Sequence, residues 1–72
     1  LKFSYTLSKP VPVNVSLADY SGRSIKTLVS ARHESGEYTY GFTPEELNVP
    51  AGEYIVQFTF GETRIPVKVI LR

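Results

Sequence analysis

The feature that most constrains this chain is an alternation of apolar and polar residues with a period of two, sustained almost from end to end. Phe3, Tyr5 and Leu7 alternate with Lys2, Ser4 and Thr6, and Val11, Val13, Val15 and Leu17 with Pro12, Asn14, Ser16 and Ala18. Tyr54, Val56, Phe58 and Phe60 alternate with Glu53, Ile55, Gln57 and Thr59. Ile65, Val67, Val69 and Leu71 alternate with Arg64, Pro66, Lys68, Ile70 and Arg72. A helix would scatter such a pattern around its circumference, whereas a strand places each set on one face. Eighteen of the 72 residues are Val, Ile or Thr, whose branched side chains suit a pleated backbone.

Between these four runs lie two less regular ones. Ser24 to Ser30 carries Ile25, Leu28 and Val29, a spacing that breaks strict alternation and points to a bulge. Tyr38, Tyr40 and Phe42 alternate with Thr39 and Gly41, after a polar stretch from Ala31 to Glu37 that reads as a loop. Asp19-Tyr20-Ser21-Gly22-Arg23 reads as a tight turn, with the Asp19 carboxylate accepting turn amides. Gly61-Glu62 reads as a two-residue hairpin turn with Gly first. Thr43-Pro44-Glu45-Glu46-Leu47 has the form of one helical turn: Thr43 at the N-cap, Pro44 at N1, Glu46 at N3 as in a capping box. Pro10, Pro12 and Pro66 cannot donate to a ladder and should mark edges or bulges. Six to seven short strands at this spacing predict a single all-β domain over residues 1–72, an immunoglobulin-like antiparallel β-sandwich. The nine aromatic rings are expected to supply much of its core.

Composition then narrows the chemistry. With no Cys and one His, disulfide frameworks, Cys-ligated zinc, His clusters and thiol nucleophiles are excluded. The net charge of +1 gives no footprint for nucleic acid. Its distribution is uneven: residues 1–32 sum to +4, residues 33–63 to −6 and residues 64–72 to +3. The first expectation is that these blocks face one another across the fold; the alternative is a binding surface. No stretch is long and apolar enough to cross a bilayer as a helix. The absence of Met suggests a piece of a longer reading frame.

The search for catalysis is short. His33 falls in the polar loop beside Glu34, and a Ser30 or Ser35–His33–Glu37 set is conceivable only on paper, because triad members need to be locked by their neighbours. Glu34 and Glu37 lack the Asp-rich spacing of a calcium loop, and no glycine-rich phosphate loop is present. Tyr38, Tyr40, Phe58 and Phe60 alternate among neutral or acidic neighbours, which favours core packing over a nucleic-acid or glycan platform. The residues call for neither catalytic nor metal-binding roles, and no cofactor is expected.

Three ordered segments carry a family resemblance: Asp19-Tyr20-Ser21-Gly22-Arg23-Ser24-Ile25-Lys26-Thr27-Leu28, Gly36-Glu37-Tyr38-Thr39, and Pro50-Ala51-Gly52-Glu53-Tyr54-Ile55-Val56. With the closing Lys68-Val69-Ile70-Leu71-Arg72, the chain resembles the C-terminal sorting domain of type IX secretion cargo, found in bacteria of the Bacteroidetes group. It is also similar to the immunoglobulin-like domain of flagellar hook-capping proteins. It departs from the usual pattern where Thr43-Pro44-Glu45-Glu46-Leu47 replaces an Asp-Gly-rich loop, and this leaves the subfamily open. The resemblance implies a non-enzymatic signal that follows a cargo domain preceding Leu1. It would pass through the periplasm, be read by secretion machinery at the outer membrane and be removed by a sortase-like protease at the cell surface. Lys68, Val69, Ile70, Leu71 and Arg72 would form the recognition strip. Asp19, Gly22, Arg23, Gly36, Tyr38, Pro50, Gly52 and Tyr54 would build the sandwich. The alternative is a structural or adhesive accessory module that binds a protein or glycan.

Overall fold

Two hairpins make the larger half of the molecule. In the computed structural model, which describes all residues from Leu1 to Arg72, β2 (Val11–Ala18) turns at Asp19 into β3 (Ser24–His33). β5 (Gly52–Phe60) turns at Gly61-Glu62 into β6 (Thr63–Leu71). β2 and β5 then pair side by side, giving an antiparallel sheet in the order β3-β2-β5-β6. β1 (Lys2–Leu7) and β4 (Gly36–Gly41) pair as a separate two-stranded antiparallel sheet. This is a small β-sandwich with immunoglobulin-like connectivity. β1 and β4 occupy the places of strands B and E, and the larger sheet those of C′, C, F and G. The outer strands A and D of the usual smaller sheet have no counterpart among the six strands.

The fully buried centre is mainly aliphatic: Val13, Val15, Leu17, Val29, Leu47 and Val56, with Tyr54. The other inward rings are only half-buried, which corrects the expectation of an aromatic centre. They form the contact between the sheets instead. Phe3 meets Phe58 edge-on at 5.2 Å and Tyr5 meets Phe60 edge-on at 5.1 Å. Tyr40 stacks on Phe3 at 5.7 Å and Tyr38 on Tyr5 at 5.6 Å. Two strands cannot roof four, so rings on the smaller sheet keep one side open.

The bulge expected in β3 is present twice. The register passes from Val15↔Val29 to Ser16↔Thr27, and from Leu17↔Lys26 to Ala18↔Ser24. Leu28 and Ile25 are the unpaired extra residues, which is why the apolar spacing there is irregular. β3 also runs three residues further than expected, because Ala31, Arg32 and His33 pair with Val13, Pro12 and Val11. A polar stretch can be strand when it lies at a sheet edge, so only Glu34 and Ser35 remain as loop.

The prolines fall where their missing N–H costs least. β2 is an interior strand, against the expectation of an edge. However, the β5 ladder begins at Val13, and Gly61 N–H donates to the Pro12 carbonyl at 2.9 Å. Pro12 therefore supplies the acceptor of the last ladder pair and forgoes only one terminal bond. β6 is an edge strand, as Pro66 suggested. α1 (Pro44–Leu47) opens with the full capping box: the Thr43 hydroxyl accepts from Glu46 N–H, and Glu46 Oε1 accepts from Thr43 N–H at 2.8 Å. The turn presses Leu47 into the core.

Candidate functional site

The five terminal residues split between two faces. Val69 pairs with Tyr54 and Leu71 with Gly52, so both point inward and are half-buried. Lys68 and Ile70 point outward, and Ile70 is 58% exposed. Arg72 lies just past the end of β6 and is exposed. Ala18, Ile55 and Lys68 form one row across the outer face of the larger sheet. The Lys68 ammonium lies 3.4 Å from Glu53 and sits over the Tyr20 ring, 5.2 Å from its centre. Both side chains of that ion pair are about half exposed, so its contribution to stability is small. Its effect is to hold Lys68 beside Tyr20, which is itself 64% exposed.

The exposed surface around the terminal strand thus extends to Tyr20. Tyr20 comes from the β2–β3 turn, far from Lys68 along the chain, and only the pairing of β2 with β5 and of β5 with β6 brings the two together. On the inner side, Val69, Leu71 and Arg72 help line an apolar cleft of about 520 Å³ together with Leu1, Leu47 and Val49. The charge blocks meet less than expected. Of Arg64, Lys68 and Arg72, only Lys68 finds a carboxylate; the other ion pair joins Asp19 and Arg23 at 3.4 Å.

The motif residues occupy three turns. Asp19 Oδ1 accepts from Ser21 Oγ at 2.7 Å, Arg23 N–H at 2.9 Å and Ser21 N–H at 3.1 Å. These bonds, that from the Ser21 hydroxyl first, hold its carboxyl below the usual range. Gly22 N–H donates to the Asp19 carbonyl, and the Asp19 N–H to the Arg23 carbonyl, both at 2.9 Å. The other two turns are tyrosine corners. The Tyr54 hydroxyl donates to the Pro50 carbonyl at 2.5 Å, and the Tyr38 hydroxyl to the Glu34 carbonyl at 2.8 Å. In each, the glycine two residues before the tyrosine has a positive φ, +146° at Gly36 and +155° at Gly52, which disfavours a side chain. The second corner stands at the start of β5, where the immunoglobulin plan places such a tyrosine.

His33 is not a free loop residue. It ends β3, is half-buried, lies 3.0 Å from the Tyr40 hydroxyl through Nε2, and stacks on Tyr38 at 4.1 Å. Neither serine nor carboxylate bonds to it, so the paper triad is not assembled. No group of three His, Cys, Asp or Glu side chains is placed to hold a metal ion. The Tyr5 hydroxyl is enclosed without a hydrogen-bond partner, and burial, reinforced by the Tyr40 hydroxyl, pushes its pKa far above the ordinary phenol value. No protein-family model, curated protein or solved structure matches the chain.

Proposed function

We propose that this chain is a non-enzymatic sorting domain, the C-terminal signal of a cargo protein carried by the type IX secretion system. One observation carries the reading. The last strand is a sheet edge that offers Lys68 and Ile70 outward beside Tyr20, with Arg72 exposed at its end. A partner can read such a strip through pockets for its side chains. The resemblance motifs are consistent with this role, since each one builds a turn and leaves the terminal strip accessible. In this reading the partners are secretion machinery and a sortase-like protease at the outer membrane, and the cargo domain lies before Leu1. The path runs through the periplasm to the cell surface, with no nucleic acid or cofactor involved.

The test is to fuse residues 1–72 to a reporter in a host with the secretion system. The intact fusion should reach the surface and lose the domain. Deletion of Lys68–Arg72, and separately Ile70→Asp with Lys68→Glu, should reduce surface reporter by about ten-fold. Failure of the intact fusion to leave the periplasm defeats the proposal. Export unchanged by either variant defeats the role of the terminal strip. A second reading, an adhesive accessory module, draws on the open Tyr20 ring beside Lys68. It predicts glycan or subunit binding that Tyr20→Ala abolishes and that the terminal deletion spares.

A further inference from the structure

β1 and β6 form the two walls of an open seam. The inward residues Ile65 and Val67 of β6 pair with Phe58 and Val56, yet they are 45% and 42% exposed. They would lie under a strand added outside β1, in the place of the missing strand A. The edge of β1 is equipped to receive one. Leu1 and Phe42 bond each other both ways, at 2.8 and 3.0 Å. In an antiparallel ladder such pairs alternate, so Phe3, Tyr5 and Leu7 bond to β4 while Lys2, Ser4 and Thr6 turn their N–H and C=O groups to the open side.

The other edges are blunted or lack an apolar floor. Counting from the two-residue turn, Pro66 falls on the free side of β6, where it breaks the row of donors between Arg64 and Lys68. β3 is bent by its two bulges. Beside β4, the inward Val29 of β3 is already buried. Only β1 combines an unbroken row of donors with apolar side chains waiting beneath it.

Charge selects the occupant. A cleft opens at each end of the seam, one walled by Leu1 and Leu71, the other by Leu7 and Ile65. The only charged residue lining the first is Arg72, and the only one lining the second is Lys9. No carboxylate answers either. A second copy of this chain would bring Lys2 and Lys9 against the same cations, which disfavours self-pairing.

We propose that the β1 edge is a strand-addition site for an extended peptide segment of a partner, apolar at alternate residues and acidic at both ends. The partner's backbone completes the smaller sheet, its apolar side chains cover Ile65 and Val67, and its acidic ends meet Lys9 and Arg72. This site shares only Arg72 with the terminal strip and does not depend on the export reading.

The probe is the peptide acetyl-Asp-Val-Thr-Ile-Ser-Val-Glu-amide, added to the 72-residue chain while backbone amide exchange is followed by NMR. Exchange at Lys2, Ser4 and Thr6 should slow by about ten-fold or more as the peptide saturates. The same peptide with Lys at both ends should bind about ten-fold less tightly at low salt, and Lys9→Glu should narrow or invert that preference. Ser4→Pro removes a donor that the fold itself does not use and should abolish binding. Because that variant could also lose its fold, a peptide N-methylated at alternate residues provides the same deletion on the intact protein. The site is refuted by the absence of slowing at about 1 mM peptide. Protection at Lys68 and Ile70 in place of β1, or protection of β1 by self-association without peptide, refutes it equally.

Discussion

The two tyrosine corners begin from the same tripeptide. Gly36-Glu37-Tyr38 opens β4 and Gly52-Glu53-Tyr54 opens β5, with nearly the same glycine φ and the same hydroxyl bond to the carbonyl four residues back. Their surroundings differ. Tyr54 is 8% exposed because β5 is an interior strand, flanked by β2 and β6. Tyr38 is half-buried because β4 has β1 on one side and nothing on the other, and its cover is the His33 ring. The same local geometry is therefore a core element in one place and a surface brace in the other. A corner is a local solution to starting a strand, and the sheet decides how much it weighs.

The largest break in this symmetry should come from removing the rings. Tyr54→Ala should cost about 3–5 kcal/mol, comparable to the whole net stability of about 3–5 kcal/mol for a domain this small, and leave the chain largely unfolded. Tyr38→Ala should cost about 1–2 kcal/mol and keep the fold. Urea denaturation followed by circular dichroism measures both, and equal losses would show that the sheets weigh the corners alike.

Next come the glycines, where the comparison should sharpen by vanishing. A Cβ at Gly36 meets nothing within 4 Å, and one at Gly52 meets only Tyr54 Cε2 at 3.9 Å. The cost of Gly36→Ala and Gly52→Ala is then set by φ and should be about 1–3 kcal/mol at both sites. A much larger loss at Gly52 would mean that the corner transmits strain to the core.

The hydroxyls give a smaller contrast. Tyr54→Phe should cost about 1 kcal/mol, since the Pro50 carbonyl loses its partner at a partly buried site. Tyr38→Phe should cost less than about 0.5 kcal/mol, because water can replace the hydroxyl at the exposed Glu34 carbonyl. Thermal melts of the two variants resolve the difference.

The smallest effect separates the corners from the turns built on carboxylates. The Asp19 and Glu46 carboxyls are held below their usual values of 3.8 and 4.5, the first by Ser21 and Arg23, the second by the Thr43 amide and hydroxyl. A lowered folded pKa favours the ionised native state. The stability they add is complete above those usual values and is lost as pH falls through the lower folded ones. Asp19→Asn with Glu46→Gln should flatten the fall of stability as pH drops below those usual values. A slope unchanged in that range would place the acid sensitivity elsewhere.

Much of the fold was legible because its signals are local. Thr43 and Glu46 cap a turn through atoms three residues apart, and Asp19 gathers amides from its own turn. Gly36 and Gly52 announce corners for the same reason. What joins segments distant in sequence was not legible in this way. His33 and the two residues before it read as loop because an edge strand needs no apolar pattern, and their partners in β2 are about twenty residues away in sequence. Tyr20 beside Lys68 was missed because neither residue carries a sign of the other.

By itself, the period-two pattern determined which residues share a face, where the chain turns, and that the product is a sandwich. The tertiary structure decided which strands became edges. Whether Pro66 blunts a border, whether Ile65 is covered, and whether Lys68 and Ile70 are open to a partner all depend on neighbours distant in sequence. The physical reason is the strand itself: its side chains alternate by local geometry, but its backbone hydrogen bonds are satisfied only by another strand, and no local rule names which one.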